Sequence, residues 1–305
     1  MNNRFFLALF LFICYNKVIL TKGDDLLPDF IKNELLDKGI DLFGAIPMSK
    51  CKVTREYKLK NKGFCDLDAL SVIVIAVPYL AKYGEKNISA YSVPRDYHAY
   101  FKALFKELLP KLKTKYPEYK FVGFADDSPI DERDAAAMAG LGIIGDNGML
   151  ITEKYSSYVF LAEIVTDYPM PHLKEKEYKI GRCEGCGKCR LACPMDDIGE
   201  CLSALTQKKG ELSPSEIASI QKYGSAWGCD KCQECCPHTI NAIKNETIYT
   251  NIEFFKKDLT PVISHKVIEN MSDEDFSERA YSWRKKETVL RNLEILEGTK
   301  KDVKE

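Results

Sequence analysis

The stretch Cys183-Glu184-Gly185-Cys186-Gly187-Lys188-Cys189-Arg190-Leu191-Ala192-Cys193-Pro194 carries four cysteines separated by two, two and three residues. That is the spacing of the bacterial ferredoxin run, in which three thiolates bind one iron–sulfur cluster and the fourth reaches a second. A [4Fe–4S] cube needs four soft thiolates, and two-residue gaps wrap a tight loop over three of its corners. Gly185 and Gly187 lie inside that loop, where positive φ and close backbone approach are easy. Pro194 marks a sharp exit. The rest of the chain is therefore expected to use or receive single electrons.

A second group follows, Cys229-x2-Cys232-x3-Cys236-Pro237, with Cys201 alone between the two. Ligand counting gives cluster one Cys183, Cys186, Cys189 and Cys236. Cluster two takes Cys193, Cys229 and Cys232 and lacks one thiolate. A plain two-cluster ferredoxin would supply it from Cys235, and Cys201 is the rival. Zinc also takes four ligands per site but has no use for the Cys-Pro exits. Disulfides suit small secreted scaffolds rather than a chain with a large apolar core. Cys14, Cys51 and Cys65 have no such spacing and read as ordinary thiols.

At 305 residues, with 45% hydrophobic and 29% charged, the chain has the size and composition of about two globular domains. A net charge of −1 leaves no global nucleic-acid footprint. Residues 50–62 form a local one, with Lys50, Lys52, Arg55, Lys58, Lys60 and Lys62 against a single Glu56. Such a run is usually a solvated face, though a polyanionic substrate would need one. Phe5 to Tyr15 is apolar behind Arg4 and resembles a signal-peptide core, yet it is too short to span a bilayer. No small-x-small cleavage site follows it and no twin arginine precedes it. Residues 1–25 are read as an N-terminal extension, signal-like or a start codon placed too early. A cytoplasmic protein without stable membrane association is expected.

Hydrophobic periodicity divides the remainder. A helix is predicted over Leu26–Lys38, closed by Gly39, and another along Tyr97, Phe101, Leu104, Phe105, Leu108 and Leu112 with Asp96 as N-cap. Ile40–Ile46, Ser71–Val77, Phe121–Ala125, Asn147–Ile151 and Tyr158–Thr166 read as strands, the second apolar enough to be buried on both faces. Helices are expected at Asp131–Ala139, at Pro214–Tyr223 with Ser213 as N-cap, at Asp273–Trp283 and at Lys286–Glu297. The fold class is α/β (α+β): a catalytic domain over 26–175, a ferredoxin-like double-cluster domain over 176–245, and a short helical C-terminal segment over 246–305. Gly140-x-Gly142-x2-Gly145 matches the dinucleotide fingerprint, but a helix precedes it and a strand follows, the reverse of what a pyrophosphate site needs. A tight loop beside another large cofactor fits it better.

Asp126-Asp127-Ser128-Pro129-Ile130-Asp131-Glu132-Arg133, followed by Ala139-Gly140-Leu141-Gly142-Ile143-Ile144-Gly145-Asp146-Asn147, resembles the epoxyqueuosine reductases. So do Arg95-Asp96-Tyr97-His98 and Cys201-Leu202-Ser203-Ala204-Leu205-Thr206 ahead of Cys229-Asp230-Lys231-Cys232-Gln233. The resemblance runs from about Leu26 to Pro237, and more faintly through Trp283–Leu293. It implies a cobalamin-binding domain joined to a double-cluster module, reduction of epoxyqueuosine to queuosine in a tRNA anticodon loop, and an external low-potential electron donor. It implies Asp126 as the proton donor to the opening epoxide. Arg95, Tyr97, Asp126, Asn147, Leu150, Asp230 and Lys231 become the cobalamin contacts, and Cys201 rather than Cys235 the eighth cluster ligand.

Read without the family, Asp126 is a turn or cap residue at a strand end. Asp127 beside it offers a like charge that would raise its pKa. His98 reads as a helix-surface or satisfied polar residue, since the family is understood to hold cobalamin without a protein histidine. Three positions depart from the family pattern: Asp146 replaces a usual lysine, His238-Thr239 replaces tryptophan-asparagine, and the ending at Glu305 leaves little room for C-terminal helical repeats. Two other functions fit parts of the pattern: a cobalamin and iron–sulfur reductase of a small molecule, like the reductive dehalogenases, and an electron-transfer module that makes no product.

Overall fold

A computed structural model describes residues 27–64, 69–195 and 201–302. The expectations for residues 1–25, Cys14 and Cys65 fall outside them. The first half is built on one sheet of four antiparallel strands, β1 (Phe43–Pro47), β2 (Ser71–Pro78), β3 (Phe121–Ala125) and β6 (Val159–Thr166), in the order β1-β2-β6-β3. Between β3 and β6 a two-residue pair, β4 (Ile143–Ile144) and β5 (Leu150–Ile151), forms a separate hairpin.

β2 is buried along its whole length because helices cover both faces of the sheet. Ile73, Ile75 and Val77 face the helices Asp29–Leu36 and Tyr97–Lys115 through Ile31, Leu35, Phe101, Leu104, Leu108 and Leu112. Val72, Val74 and Ala76 face the helices Glu56–Asn61 and Glu132–Met138 through Leu59 and the small residues Ala135, Ala136 and Ala137. Each Val or Ile fully buried this way contributes about 1.5–3 kcal/mol before entropy is counted, so β2 anchors the sheet. Close approach on the second face depends on Gly44 in β1, where a Cβ would stand 2.6 Å from the Ala139 carbonyl oxygen.

Several predicted signals act as read. Asp96 accepts from the His98 backbone N–H at the start of Tyr97–Lys115. Gly39 takes φ +73° just past Asp29–Leu36. Ser213 forms a capping box with Glu216 ahead of Pro214–Tyr223. The helix expected over Asp273–Trp283 is instead two pieces, Asp273–Ser277 and a 3₁₀ turn at Ser282–Arg284. The intervening backbone is drawn into a bridge between Arg95 and Arg279, with Asp96 N–H donating to the Glu278 carbonyl at 2.8 Å. The strand expected over Asn147–Ile151 keeps only its last two residues, since Gly145–Gly148 turns back on itself.

The cysteine-bearing stretch and the C-terminal segment pack together, and against the segment that follows β2, through a third core. Trp227 is fully buried there among Ile88, Val93, Ile263, Phe276, Tyr281, Val289 and Leu293. Its indole donates to the Tyr91 hydroxyl at 2.7 Å, and Ser89 N–H donates to its carbonyl. Buried Asn292, on the last helix Lys285–Asp302, donates to the carbonyls of Thr206 and Ala226. No helix among the described residues is long and apolar enough to cross a membrane.

Candidate functional site

The end of β3 turns sharply at Asp126, whose φ of +63° is left-handed. A non-glycine residue held there costs about 1–3 kcal/mol, a strain that concentrates at functional sites. The carboxyl is largely exposed and faces His98 Nε2 at 3.5 Å, while His98 Nδ1 meets Asp96 Oδ1 at 2.8 Å. Asp96 is itself fixed as the helix cap, so the imidazole lies between two carboxylates of which one cannot move away. The hydrogen bonds to Asp126 and then Asp96 push His98 up to about 10. In return the His98 contact holds the Asp126 carboxyl below the usual carboxylate range. Tyr97 stacks on His98 at 4.2 Å and on Phe160 at 4.3 Å between ring centroids, stiffening the corner.

Asp127 does not raise the pKa of Asp126 as its adjacency in sequence implied. It points to Arg55 at 2.8 Å and to Lys58, which neutralise its charge. The bridge Val53↔Ile130 and the bond from Asp131 N–H to the Lys52 carbonyl bring the basic run against this loop. Lys60 pairs with Glu56 at 3.0 Å and Lys52 with Asp131 at 3.9 Å. The run is thus a solvated face, and it borders the Asp126 loop.

In the cysteine stretch Gly185 and Gly187 take φ of +67° and +73°, a conformation that tightens the loop around its thiols. A cleft of about 60 Å³ opens inside, lined by Cys183, Cys186, Cys189 and Cys236 together with Asp146 and Asn147. Asp146 N–H donates to Cys183 Sγ at 3.3 Å, an amide aimed at a sulfur. The second set gathers separately. Burial raises Cys229 and pushes Cys232 up to about 12, and in both cases Cys201 and Cys193 add to the rise through their charge. Cys235 directs its S–H to the carbonyls of Lys188 and Cys232, on the side of Cys186, Cys189 and Cys236. Among the described residues no three His, Cys, Asp or Glu side chains converge as ligands of one ion. A cubane binds each thiolate through a different iron, so its ligands stand farther apart.

The glycine pattern at 140–145 serves the same assembly. Cys183 N–H donates to the Ile144 carbonyl, and Asn147 Nδ2 reaches the Cys232 carbonyl at 3.4 Å. The loop therefore clamps the cysteine stretch to the hairpin β4–β5, with no helix N-terminus behind it.

The remaining predicted contacts are more scattered. Leu150 is buried under the second face of the sheet. Arg95 pairs with Glu278, lies 4.0 Å from Asp258 and stacks over Phe254. Asp230 is buried and accepts from Ser89 Oγ, Ala90 N–H and Lys86, so its carboxylate is committed inside the protein. Lys231 is exposed beside Glu234. Burial raises the Tyr91 phenol, the bond from the Trp227 indole opposes it, and the charges of Asp230, Asp96 and Asp126 add to the rise. The structure thus joins Asp126, Tyr97 and His98 in one corner. His98 is the satisfied polar residue on the helix surface that the sequence suggested, and its pairing with Asp126 is what sequence reasoning missed. Its signal was present in Arg95-Asp96-Tyr97-His98, but its partner Asp126 lies far along the chain. A larger cleft, about 1070 Å³ and lined by Lys50, Cys51 and Tyr178, holds none of these residues.

Residues 67–127 match the family described as "Epoxyqueuosine reductase QueG, DUF1730". The epoxyqueuosine reductase of Gloeobacter violaceus is 33% identical over 220 residues, covering 68% of this chain and 68% of that protein. The one from Listeria monocytogenes is 28% identical over 310 residues, covering 94% of this chain and 77% of the other. The fold is similar to that of epoxyqueuosine reductase from Streptococcus thermophilus, with a TM-score of 0.68 at 23% identity over 88% of this chain and 80% of that one. It is equally similar to an epoxyqueuosine reductase solved with an epoxyqueuosine-modified tRNA-Tyr stem loop, at TM-score 0.69, 23% identity and 88% and 80% coverage.

Proposed function

The chain belongs to the epoxyqueuosine reductase family, and from that premise we propose that it is an oxidoreductase removing the epoxide oxygen of epoxyqueuosine in a tRNA anticodon loop to give queuosine. The observation that carries this reading is a strained Asp126 held against His98, in a chain that also gathers Cys183, Cys186, Cys189 and Cys236 around one cleft. Losing an epoxide oxygen as water takes two electrons and two protons. Cys183, Cys186, Cys189 and Cys236 would hold one [4Fe–4S] cluster and Cys193, Cys201, Cys229 and Cys232 the other. The two cysteine groupings and the amide on Cys183 Sγ fit that assignment. The exposed corner of Asp126, Tyr97 and His98 fits the face of a large flat cofactor such as cobalamin, with Asn147 fastening the adjoining loop to the cluster side. When bound, clusters and cobalamin would supply low-potential electrons, from an external donor, to the epoxide carbon.

The chain's own residues handle the proton. Asp126 and His98 share one, and Asp126 presents it to the departing oxygen, where a positioned acid contributes about 10²–10⁴-fold. Asp96 orients the imidazole, and Tyr97 and Phe160 keep it stacked. Lys52, Arg55 and Lys58 stand next to that acid, where phosphates of an RNA loop would compete with Asp127 and Asp131 for them. Residues 26–175 would form the cobalamin side and 176–245 the cluster side of a cytoplasmic enzyme.

Nucleoside mass spectrometry tests this directly. Epoxyqueuosine-containing tRNA is incubated anaerobically with reconstituted protein, cobalamin and a strong reductant, and queuosine is expected. Unchanged epoxyqueuosine, with clusters and cobalamin verified as bound, would sink the tRNA reading in favour of a small reducible substrate. Failure to bind cobalamin at all would favour an electron carrier.

A further inference from the structure

β6 is apolar from Val159 to Val165 except at Glu163, whose side chain is fully buried. The register sets it in the row Gly44–Val74–Glu163–Phe124, two residues along β3 from Asp126. That row lies on the face covered by the helix Glu132–Met138. Neither carboxyl oxygen of Glu163 has a hydrogen-bond partner, and Oε1 of Glu132, the first residue of that helix, is buried without one too. The two carboxyls adjoin each other, and Glu132 also adjoins the backbone N–H of Asp126. Ser128 and Cys51 face Glu163, while Asp126, Arg55 and Tyr97 face Glu132. The one cation among these, Arg55, is already paired with Asp127.

Two adjoining carboxyls, Glu163 fully buried and Glu132 half-buried with its Oε1 out of water, resist ionising together when no cation of their own is at hand. Burial comes first among the causes that raise both. A valine or leucine would serve the sheet better at this position, so stability does not explain an acid there. The chemistry offers a use for one. The proposed reduction breaks two C–O bonds and consumes two protons, whereas the Asp126–His98 pair holds one.

Building on that reading of the reaction, we propose that Glu163 and Glu132 form a buried proton store that re-arms Asp126 from behind the sheet. The first proton passes from the Asp126–His98 pair to the oxygen as one C–O bond breaks. Glu132 then returns a proton to Asp126 and is itself refilled by Glu163. Asp126 delivers the second proton as the other C–O bond breaks, water leaves, and the carbon–carbon double bond forms with the two electrons of the external donor. Both protons are replaced from water after product release. Glu163 and Glu132 touch neither substrate nor cofactor and are positioning residues for the proton on Asp126.

Infrared spectroscopy and pH profiles of the cluster-loaded full chain test the store. At mildly alkaline pH the wild type is expected to show a protonated-carboxyl C=O absorption that shifts in D₂O. Glu163→Gln should abolish it while leaving iron content and circular dichroism intact. In single turnover Glu163→Gln should form queuosine about tenfold more slowly, part of the usual general-acid contribution. Its KM for tRNA should be unchanged and the alkaline limb of its pH profile displaced to lower pH. A wild type lacking the absorption overturns the store, and so does a Glu163→Gln that loses the absorption yet keeps the wild-type rate and profile. Should Glu163→Gln fail to fold, Glu132→Gln at the helix start gives the same two readouts. If the functional reading itself is wrong, the wild type makes no queuosine, while the absorption and its loss still report on the pair.

Discussion

The cysteine stretch and the Asp126 corner are held together by different means. The first is a set of short loops: eleven residues span Cys183 to Cys193, and the thiols come together because glycines permit the turns. The second is assembled from β3, the start of the helix Tyr97–Lys115 and the partner strand β6, with contacts that span tens of residues. A local device announces itself by spacing. A nonlocal one exists only once the sheet is formed, and each part reads as ordinary by itself.

The sharpest way to break this contrast is to ask which thiols ligate. Cys201→Ala is expected to lose about half of the iron and all turnover, because one of the two clusters loses its fourth thiolate. Cys235→Ala should keep both. Iron and sulfide analysis with electron paramagnetic resonance reads the difference, and the reverse result would restore a plain ferredoxin arrangement. Next in size is Asp126→Asn, which keeps the shape of the side chain but cannot donate as an acid. Its turnover should fall about 10²–10⁴-fold with iron and cobalamin content unchanged; an active variant would remove Asp126 from the mechanism.

Legibility follows the same division. Cys183, Cys186, Cys189 and Cys236 could be grouped from spacing, and they line one cleft. The choice between Cys201 and Cys235 could not be made from spacing, because either can supply the eighth thiolate and the outcome depends on how the two runs pack around the clusters. β2 and the helix caps were legible because burial on both faces and capping leave composition signals nearby. The break after Ser277 was not, since the Arg95 backbone that causes it lies far away in sequence. Asp127 misled for a related reason. Adjacency suggested repulsion with Asp126, whereas Arg55 and Lys58 reach it from another element.

His98 sharpens the comparison through pH. Its folded pKa is raised from 6.5 to about 10, chiefly by Asp126 and then Asp96. The stability it contributes is therefore fully present below about pH 6.5 and is lost as pH rises through about 10. Asp126, lowered by the same contact, loses its share as pH falls through its depressed value. Denaturant titrations of the wild type should show weakening on the alkaline side that His98→Gln abolishes. In turnover, the variant's alkaline limb should move toward acid, because Asp126 alone cannot keep a proton at neutral pH. An unchanged limb would leave His98 a surface residue after all.

The smallest expected effect comes from Ser213, the cap of a helix lying between Cys201 and Cys229. Ser213 accepts from Glu216 N–H, and the Glu216 carboxylate returns to Ser213 N–H at 2.7 Å. Ser213→Ala removes half of that box and should cost about 0.5–2 kcal/mol, seen as a lower denaturation midpoint of the loaded protein. Iron content and turnover should stay where they were, since a cap acts only on its own first turn. Loss of iron from this variant would mean that the helix, rather than the loop spacing, positions Cys201 and Cys229. The contrast between a locally encoded cluster site and a globally assembled acid site would then fail at its simplest point.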